Sequence, residues 1–229
     1  MLDKPLALVT GASRGIGGAV AHALAPTHEL LLGGRDVDAL QRVTDELHGS
    51  RAWPVELTDP EALAAATAGM TRLDVLVHSA GIGEVGTVAD TPVDVWRCQF
   101  EINVVAVAEL TRLLLPALRA AAGHIVMINS GAGLNARPGW ASYAASKHAL
   151  RALADSLRAE EAEHGVRVTS VFPGRTATDM QRAVRAAEGG EFRVADYLTP
   201  EAVAAVVASA VAAPPDAQVT DVMVRPTGR

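Results

Sequence analysis

The sequence has little of what secreted, membrane-spanning or nucleic-acid-binding proteins need. Cys98 is its only cysteine, so it can form no internal disulfide, which suits a reducing compartment. The apolar run at residues 6–9 is too short for the core of a signal peptide. The charge-free stretch 202–215 is interrupted by a serine and two prolines and falls short of the roughly 18 apolar residues of a membrane span. We therefore expect a cytoplasmic protein without a membrane partner.

The chain also lacks an excess of positive charge and a recognisable metal motif. Its formal net charge is −6, which provides no general attraction for nucleic acid. The histidines are scattered without the spacing of metal ligands, so we expect no metal site. Aromatic residues make up only 3% of the chain against 49% hydrophobic residues, so the core must consist mainly of alanine, valine and leucine. This composition suits close packing of helices on a sheet.

What the sequence does contain is a regular alternation of two kinds of segment. Short apolar runs predict buried strands at 6–10, 29–34, 51–57, 74–80, 124–130, 166–172 and 219–224, of which 51–57 is the weakest. Segments with helical spacing lie at 16–25, 36–48, 60–70, 92–120, 142–164 and 200–213. Parallel neighbours need crossover connections, and a helix makes the crossover compact. The sequence thus predicts an α/β fold in one domain, 1–229: a doubly wound, mostly parallel sheet of about seven strands with helices on both faces.

Two features interrupt this pattern. Pro116 lies late in the helical segment 92–120 and is expected to kink it or to end its regular part. The stretch 174–199 has no clear periodicity and contains three glycines. Because irregular loops that follow a strand often cover a binding site, we predict that 174–199 is a substrate lid.

The first predicted strand runs into the glycine-rich stretch TGASRGIG, residues 10–17. Gly11, Gly15 and Gly17 stand between a strand and a helix, where they allow a tight turn and close approach of the backbone to a pyrophosphate. Glycines also occur in tight turns for steric reasons alone. The strand before and the helix after favour the interpretation as a phosphate cradle.

The second predicted strand ends where a dinucleotide fold meets the adenosine ribose. An acidic residue there would select NAD, but the sequence has glycines followed by Arg35. The guanidinium of Arg35 suits a 2′-phosphate, and Arg14 could approach the same group. We therefore predict NADP(H) over NAD(H); the alternative is that both arginines are solvated surface residues, and the neighbouring Asp36 leaves that open.

The stretch YAASK, residues 143–147, places a phenol and an ammonium one helical turn apart. Side chains at this spacing lie on the same face of a helix, about 5–6 Å apart at Cβ. A nearby ammonium favours the phenolate, so we predict that Lys147 lowers the pKa of Tyr143. A phenol tuned in this way can transfer a proton near neutral pH, where an unperturbed tyrosine with a pKa of about 10 is a poor proton carrier.

Taken together, these motifs resemble those of the classical-type short-chain dehydrogenase/reductase family over nearly the whole chain. TGASRGIG, HSAG at 78–81, Asn103, Ser130, YAASK and PGRTAT at 173–178 occur in the family's order. The resemblance implies that Tyr143 is the general acid/base, that Ser130 hydrogen-bonds the substrate oxygen and that Lys147 holds the nicotinamide ribose. It also implies that Asn103 holds a water connected to Lys147.

The same resemblance implies a set of cofactor contacts. These are Gly11, Ser13, Arg14, Gly15, Ile16, Gly17, Arg35, Ala80, Gly81, Asn103, Tyr143, Lys147, Pro173, Gly174 and Thr178. The chain departs from the family pattern at His78 and Ser79, where relatives often have two asparagines, and at Glu56, where they tend to have an aspartate that contacts adenine. We expect His78 to be a packed histidine rather than a proton shuttle.

The leading hypothesis is an NADP(H)-dependent oxidoreductase that interconverts a small ketone or aldehyde and its alcohol. A rival is a non-catalytic redox sensor or interaction module that binds NADP(H) on the same fold. A third possibility is other chemistry at the same site, such as dehydration or epimerisation. Trp140 and Leu134 suggest an apolar pocket wall, and the resemblance implies a homodimer or homotetramer.

Overall fold

The computed structural model describes residues 4–227, which form one parallel sheet flanked by helices. The strands are β1 (Leu6–Thr10), β2 (Glu29–Gly34), β3 (Ser50–Pro54), β4 (Val75–His78), β5 (His124–Ile128), β6 (Arg167–Pro173) and β7 (Asp221–Val224). The α-helices are α1 (Gly15–Leu24), α2 (Val37–Glu46), α3 (Pro60–Thr67), α4 (Val93–Phe100), α5 (Ala106–Ala121), α6 (Ala141–Glu160), α7 (Asp179–Ala187) and α8 (Pro200–Val211). The predicted doubly wound fold is confirmed.

The seven strands lie in the order β3-β2-β1-β4-β5-β6-β7, and every neighbouring pair is parallel. The strand order reverses between β1 and β4, so the connections from these two strands leave in opposite directions. Open α/β sheets bind their ligands in the crevice at the carboxyl ends of such strands. The sheet topology therefore places the glycine loop after β1 at the expected ligand crevice.

Small and medium-sized apolar side chains fill the core on both faces of the sheet. On one face α1 and α8 pack against the sheet through Val20, Leu24, Val203 and Val207. On the other face α5 and α6 do so through Leu110, Leu114, Leu118, Leu150 and Leu157. These are the residue types that the aromatic-poor composition predicts.

The helical segment predicted at 92–120 differs from the prediction in two ways. It is divided by a π-helical turn, Glu101–Val105, between α4 and α5. Of the two alternatives for Pro116, an end to the regular helix is wrong, because Pro116 lies inside α5, which continues to Ala121. A kink at Pro116 stays a prediction. Leu114, Ala117 and Leu118 are buried on either side of the proline. Their packing stabilises a helix whose missing backbone hydrogen bond would be costly in isolation.

The stretch predicted as an irregular lid contains a helix of its own. Helix α7 begins after Thr178, whose hydroxyl accepts a hydrogen bond from the Gln181 amide at 3.2 Å. Only Gln181 and Val184 are buried within α7. A short helix with a small buried face was not distinguishable from a loop by apolar periodicity alone.

Candidate active site

The loop between β1 and α1 has the backbone geometry of a phosphate cradle. Gly11 and Gly15 have positive φ angles of 66° and 56°, which other residues rarely adopt. A Cβ on Gly17 would collide with the carbonyl of Gly11. The N-cap of α1 is Arg14, which makes no side-chain capping hydrogen bond, so it leaves amides of the first turn open to a ligand. With Ser13 in the same loop, these features fit the pyrophosphate of a dinucleotide.

The hydroxyl of Thr10 joins the carboxyl ends of β1 and β4. Its Oγ1 accepts hydrogen bonds from the amides of Ser79 and Ala80, each at 3.1 Å, and donates to the carbonyl of Val77 at 3.3 Å. These contacts form the strand-end connection in a chain that lacks the asparagines of the family pattern. Sequence reasoning missed Thr10, although it is the first residue of the glycine motif.

His78 is packed, as the sequence analysis predicted. It is 3% exposed, and its Nε2 lies 2.9 Å from Oγ1 of Thr111. Burial lowers the pKa of His78 to about 3, so the ring is neutral at physiological pH. A neutral ring inside the core between β4 and α5 has no path along which to shuttle protons.

The two arginines predicted to select NADP(H) lie near acidic partners. Arg35 Nη1 lies 3.5 Å from Glu56 Oε2, and Arg14 Nε lies 3.9 Å from Asp179 Oδ2. Glu56 also accepts hydrogen bonds from the amide and hydroxyl of Thr58. The side chains of Arg35 and Arg14 are 71% and 79% exposed, so solvent weakens both ion pairs. Each guanidinium is therefore free to exchange its carboxylate for a phosphate.

Tyr143 and Lys147 are both buried on one face of α6. The Lys147 Nζ lies 5.9 Å from the centroid of the Tyr143 ring. Ser130, at the start of the turn after β5, faces the same phenol. This arrangement agrees with the spacing expected for YAASK.

The pKa of Tyr143 is shifted in the opposite direction to the prediction. Burial raises the pKa of the phenol, and the hydrogen bond with Ser130 opposes that shift only in part. Burial also lowers the pKa of Lys147 to about 8. Both charged forms are disfavoured for the same reason, the loss of hydration on burial. The resting pair is thus a neutral phenol beside an easily deprotonated ammonium.

Asn103 lies in the π-helical turn and is hydrogen-bonded on all sides. Its Nδ2 donates to the Ile82 carbonyl at 2.9 Å and to Ser146 Oγ at 3.0 Å, while its Oδ1 accepts from the Ile82 amide at 3.0 Å. A Cβ on Gly81 would lie 3.0 Å from Asn103 Oδ1 and 3.7 Å from Lys147 Nζ. Asn103 and Lys147 therefore both lie close to Gly81.

Asn129 is a site residue that sequence reasoning missed. Its Oδ1 accepts from the Ser130 amide at 2.8 Å, and its Nδ2 donates to the Lys147 carbonyl at 3.2 Å. A Cβ on Gly133 would lie 2.8 Å from that same carbonyl, so the turn can pack against α6 only without a side chain there. Asn129 fixes the serine relative to the helix that carries the tyrosine and lysine. The available signal was an amide side chain at the end of a buried strand, directly before the predicted serine.

The phenol opens into a cavity of about 400 Å³ between the sheet edge and α7. Predicted site residues that line it are Ile16, Ser130, Tyr143, Pro173, Gly174 and Thr178. Trp140 also lines the cavity and meets Tyr143 edge to face, with ring centroids 5.9 Å apart, whereas Leu134 is not among the lining residues. Met180 of α7 reaches over Gly83 to the same cavity. The predicted apolar wall is therefore built by Trp140 and Met180 rather than by Leu134.

A charged cluster connects α7 to the wall of the cavity. Both carboxylate oxygens of Glu188 accept hydrogen bonds from Arg175, at 2.8 and 2.6 Å, and one also accepts from Arg185 at 2.7 Å. The Arg175 guanidinium lies 5.6 Å from the centroid of the Trp140 ring. Glu188 thus links the end of α7 to Arg175, which lies over the Trp140 ring.

Two other kinds of site are missing from the range 4–227. No group of three or more His, Cys, Asp or Glu side chains in that range is arranged to hold a metal ion. No helix there is both long enough and apolar enough to cross a bilayer.

Comparisons of the amino-acid sequence with known proteins identify similar chains. A model of the short chain dehydrogenase family matches residues 5–189. The chain is 36% identical over 208 residues to dehydrogenase/reductase SDR family member 7B of Bos taurus, covering 84% of this chain and 64% of the relative. It is 35% identical over 239 residues to glycine betaine reductase ATRR of Emericella nidulans, covering 98% of this chain and 19% of that protein. The chain thus spans less than two thirds of the length of these curated relatives.

Solved structures give similar matches over nearly the full chain. An alcohol dehydrogenase from the archaeon Thermococcus sibiricus, complexed with 5-hydroxy-NADP, superposes with a TM-score of 0.90 at 25% identity, covering 99% of this chain and 98% of that one. A metagenomic short-chain oxidoreductase in complex with NADP superposes with a TM-score of 0.84 at 32% identity, covering 100% and 99%. The likeness therefore extends beyond the glycine loop to the cavity and the last strand.

Proposed function

The chain belongs to the short-chain dehydrogenase/reductase family, and from that membership we propose that it is an NADP(H)-dependent oxidoreductase that interconverts a small ketone or aldehyde and its alcohol. The observation that carries the proposal is the convergence of Ser130, Tyr143 and Lys147 beside the glycine cradle. A cavity of about 400 Å³ at the phenol leaves room for a small organic substrate.

In this proposal the bound dinucleotide supplies the hydride, and the protein controls the proton. The hydroxyls of Ser130 and Tyr143 hold the carbonyl oxygen, where negative charge develops during reduction. Tyr143 then donates its proton to that oxygen. Because burial raises the pKa of Tyr143, the phenol is protonated at rest, which is the state that reduction requires. Lys147, with a pKa of about 8, holds or releases a proton near neutral pH and can restore the phenol.

The preference for NADP(H) is the second part of the proposal. Its support is the position of Arg35 after β2 and of Arg14 in the glycine loop, where each has only an exposed carboxylate partner. Two structurally similar proteins were solved with NADP or an NADP derivative, which is consistent with the same choice here. Dissociation constants for NADPH and NADH test it directly, and tighter binding of NADH would overturn the assignment.

The test of catalysis is the loss of NADPH oxidation in Tyr143→Phe across a panel of small aldehydes and ketones. We expect turnover to fall by at least about 100-fold, since general acid catalysis typically contributes that much, while NADPH binding is retained. Tyr197→Phe is the matched control: Tyr197 is the other tyrosine of the chain, stacks on Phe192 with ring centroids 5.0 Å apart and does not line the cavity. It should lose little turnover.

Two results would contradict the proposal. Wild-type rates in Tyr143→Phe would remove the phenol from the reaction. Tight NADPH binding by the wild-type protein without turnover of any panel member would favour a redox sensor on the same fold. Net oxidation of NADPH with a carbonyl substrate counts against dehydration or epimerisation, because those reactions leave the cofactor unchanged overall.

A further inference from the structure

The cavity beside Tyr143 is positively charged although the chain as a whole has a net charge of −6. Arg137, Arg175 and Arg225 line it, and Asp196 is the acidic lining residue. A positive cavity in an acidic chain is a local feature, and its cause lies in how these four side chains are paired.

Two of the four are paired with neighbours outside the cavity wall. Arg175 forms a bidentate pair with Glu188 at 2.6 Å. Asp196 Oδ2 lies 3.2 Å from Arg193 Nε. For Arg137 and Arg225, no carboxylate among residues 4–227 lies within 4.0 Å of the guanidinium, which leaves two positive charges facing a space open to a ligand.

Arg225 is held by the backbone in a fixed orientation. It directly follows β7, and its Nη1 donates to the carbonyls of Phe172 at 2.7 Å and Val224 at 3.2 Å. Its Nη2 lies 3.4 Å from the position that a Cβ on Gly131 would occupy. The Cζ and Nη1 atoms lie 3.6 Å from the same position, so the guanidinium lies against the turn that directly follows Ser130.

The proposed cofactor does not account for this charge. The cradle for the pyrophosphate follows β1, and β7 lies four strands away in the sheet order. The Arg225 guanidinium lies beside Gly131, which follows β5, two strands from β1. At about 4.8 Å per strand it is ~10 Å from the cradle, beyond hydrogen-bond distance of a phosphate held there. A nicotinamide beside Tyr143 brings no negative charge, since its reduced ring is neutral.

We propose that the substrate carries a carboxylate that binds to Arg225, with Arg137 adding attraction at the rim, while its carbonyl lies at Ser130 and Tyr143. The inference rests on the proposed function and narrows its substrate class to carboxylate-bearing aldehydes and ketones. A planar guanidinium with one edge fixed and one edge open matches the two oxygens of a carboxylate.

The test compares 4-formylbenzoate with its methyl ester, which has the same aldehyde without the charge. The wild-type protein should reduce 4-formylbenzoate with the higher kcat/KM. In Arg225→Gln the KM for 4-formylbenzoate should rise at least about tenfold, the usual effect of losing a charge-assisted hydrogen bond, while the ester changes less than about twofold. Arg225→Lys should restore part of the affinity, and Arg51→Gln, at an exposed arginine of β3 on the opposite edge of the sheet, should change neither substrate.

The outcomes separate this inference from the proposed function. The inference is overturned if the wild-type protein has the same kcat/KM for the ester as for the acid, or if Arg225→Gln lowers both values equally. Arg225 would then only connect β6 and β7, and the proposed oxidoreductase activity would still stand. If neither aldehyde is turned over, calorimetry with benzoate and benzamide on the NADPH-loaded protein reports on the anion site without catalysis. A benzoate preference that disappears in Arg225→Gln supports the site, and equal binding of the two compounds overturns it.

Discussion

Replacing Lys147 by methionine should destroy activity and stabilise the fold at neutral pH. Lys147 is 5% exposed, and burial lowers its pKa from 10.5 to about 8. That difference means the folded protein disfavours the charged amine by about 3 kcal/mol. Methionine has a similar length and no charge, so Lys147→Met removes this penalty.

The gain in folding stability is reduced by the loss of one hydrogen bond. Lys147 Nζ donates to the Ile128 carbonyl at 3.1 Å, and leaving that buried oxygen unpaired costs about 1–2 kcal/mol. The net stabilisation at pH 7 is therefore about 1–2 kcal/mol, or a rise in Tm of about 2–8 °C for a chain of this size. NADPH oxidation should be lost in the same variant.

The pH dependence of the unfolding free energy shows whether the buried ammonium of Lys147 causes the difference in stability. Lys147 deprotonates near pH 8 in the folded protein and near pH 10.5 in the unfolded chain, so the unfolded state binds more protons between these values. The unfolding free energy of the wild-type protein should therefore rise by about 1.4 kcal/mol per pH unit in this window relative to Lys147→Met. The advantage of the variant at pH 7 should become a deficit by about pH 10, when only the missing hydrogen bond remains.

The assay is chemical denaturation of both proteins without cofactor at several values of pH from 7 to 10. Lys4→Met, at the other lysine of the chain, which is exposed, is the matched control. Its unfolding free energy should differ from that of the wild-type protein by the same amount at every pH. If the difference between Lys147→Met and wild type stays constant across that range, the amine is not desolvated as described, and the reasoning fails.

Three further predictions follow from the same structure. Arg35→Ser should weaken NADPH binding at least tenfold and leave NADH binding almost unchanged, measured by equilibrium titration; equal losses for both would remove Arg35 from cofactor selection. Gly133→Ala should destabilise the fold by about 1–3 kcal/mol in thermal denaturation, because its Cβ would lie 2.8 Å from the Lys147 carbonyl. Gly69→Ala is the control: a Cβ there would meet open space, so the fold should be nearly unaffected or slightly stabilised. Glu188→Gln weakens the contacts of this side chain with Arg175 and Arg185. Helix α7 should then become more sensitive to proteolysis, and KM should rise by a larger factor than kcat falls. Unchanged proteolysis would show that Glu188 does not hold the helix.

Local sequence was sufficient for the sheet, the glycine loop and the YAASK helix. Strand and helix periods are properties of neighbouring residues, and the glycines of the loop are required by its own φ angles, as at Gly11 and Gly15. The Tyr143 and Lys147 pair follows from the helical repeat alone. The roles assigned to these residues remain predictions that the kinetic experiments test.

Other features depended on contacts between residues far apart in the chain. The direction of the pKa shift at Tyr143 could not be read from the neighbouring Lys147, because burial of the phenol in the folded chain is its largest cause. The helix α7 within the stretch 174–199, and the continuation of α5 through Pro116, likewise depend on packing rather than on propensity.

The charge of the cavity shows most clearly which properties follow from the order of residues and which require the folded structure. The order of residues was enough to predict an acidic chain, an alternating α/β order and the residue types of the site. Only the folded sheet placed Arg225, from the last strand, beside Gly131 and paired Arg175 with Glu188 while leaving Arg225 without a carboxylate among the described residues. Charge pairing depends on distances of a few ångströms between residues from different elements, and those distances exist only once the strands are in register.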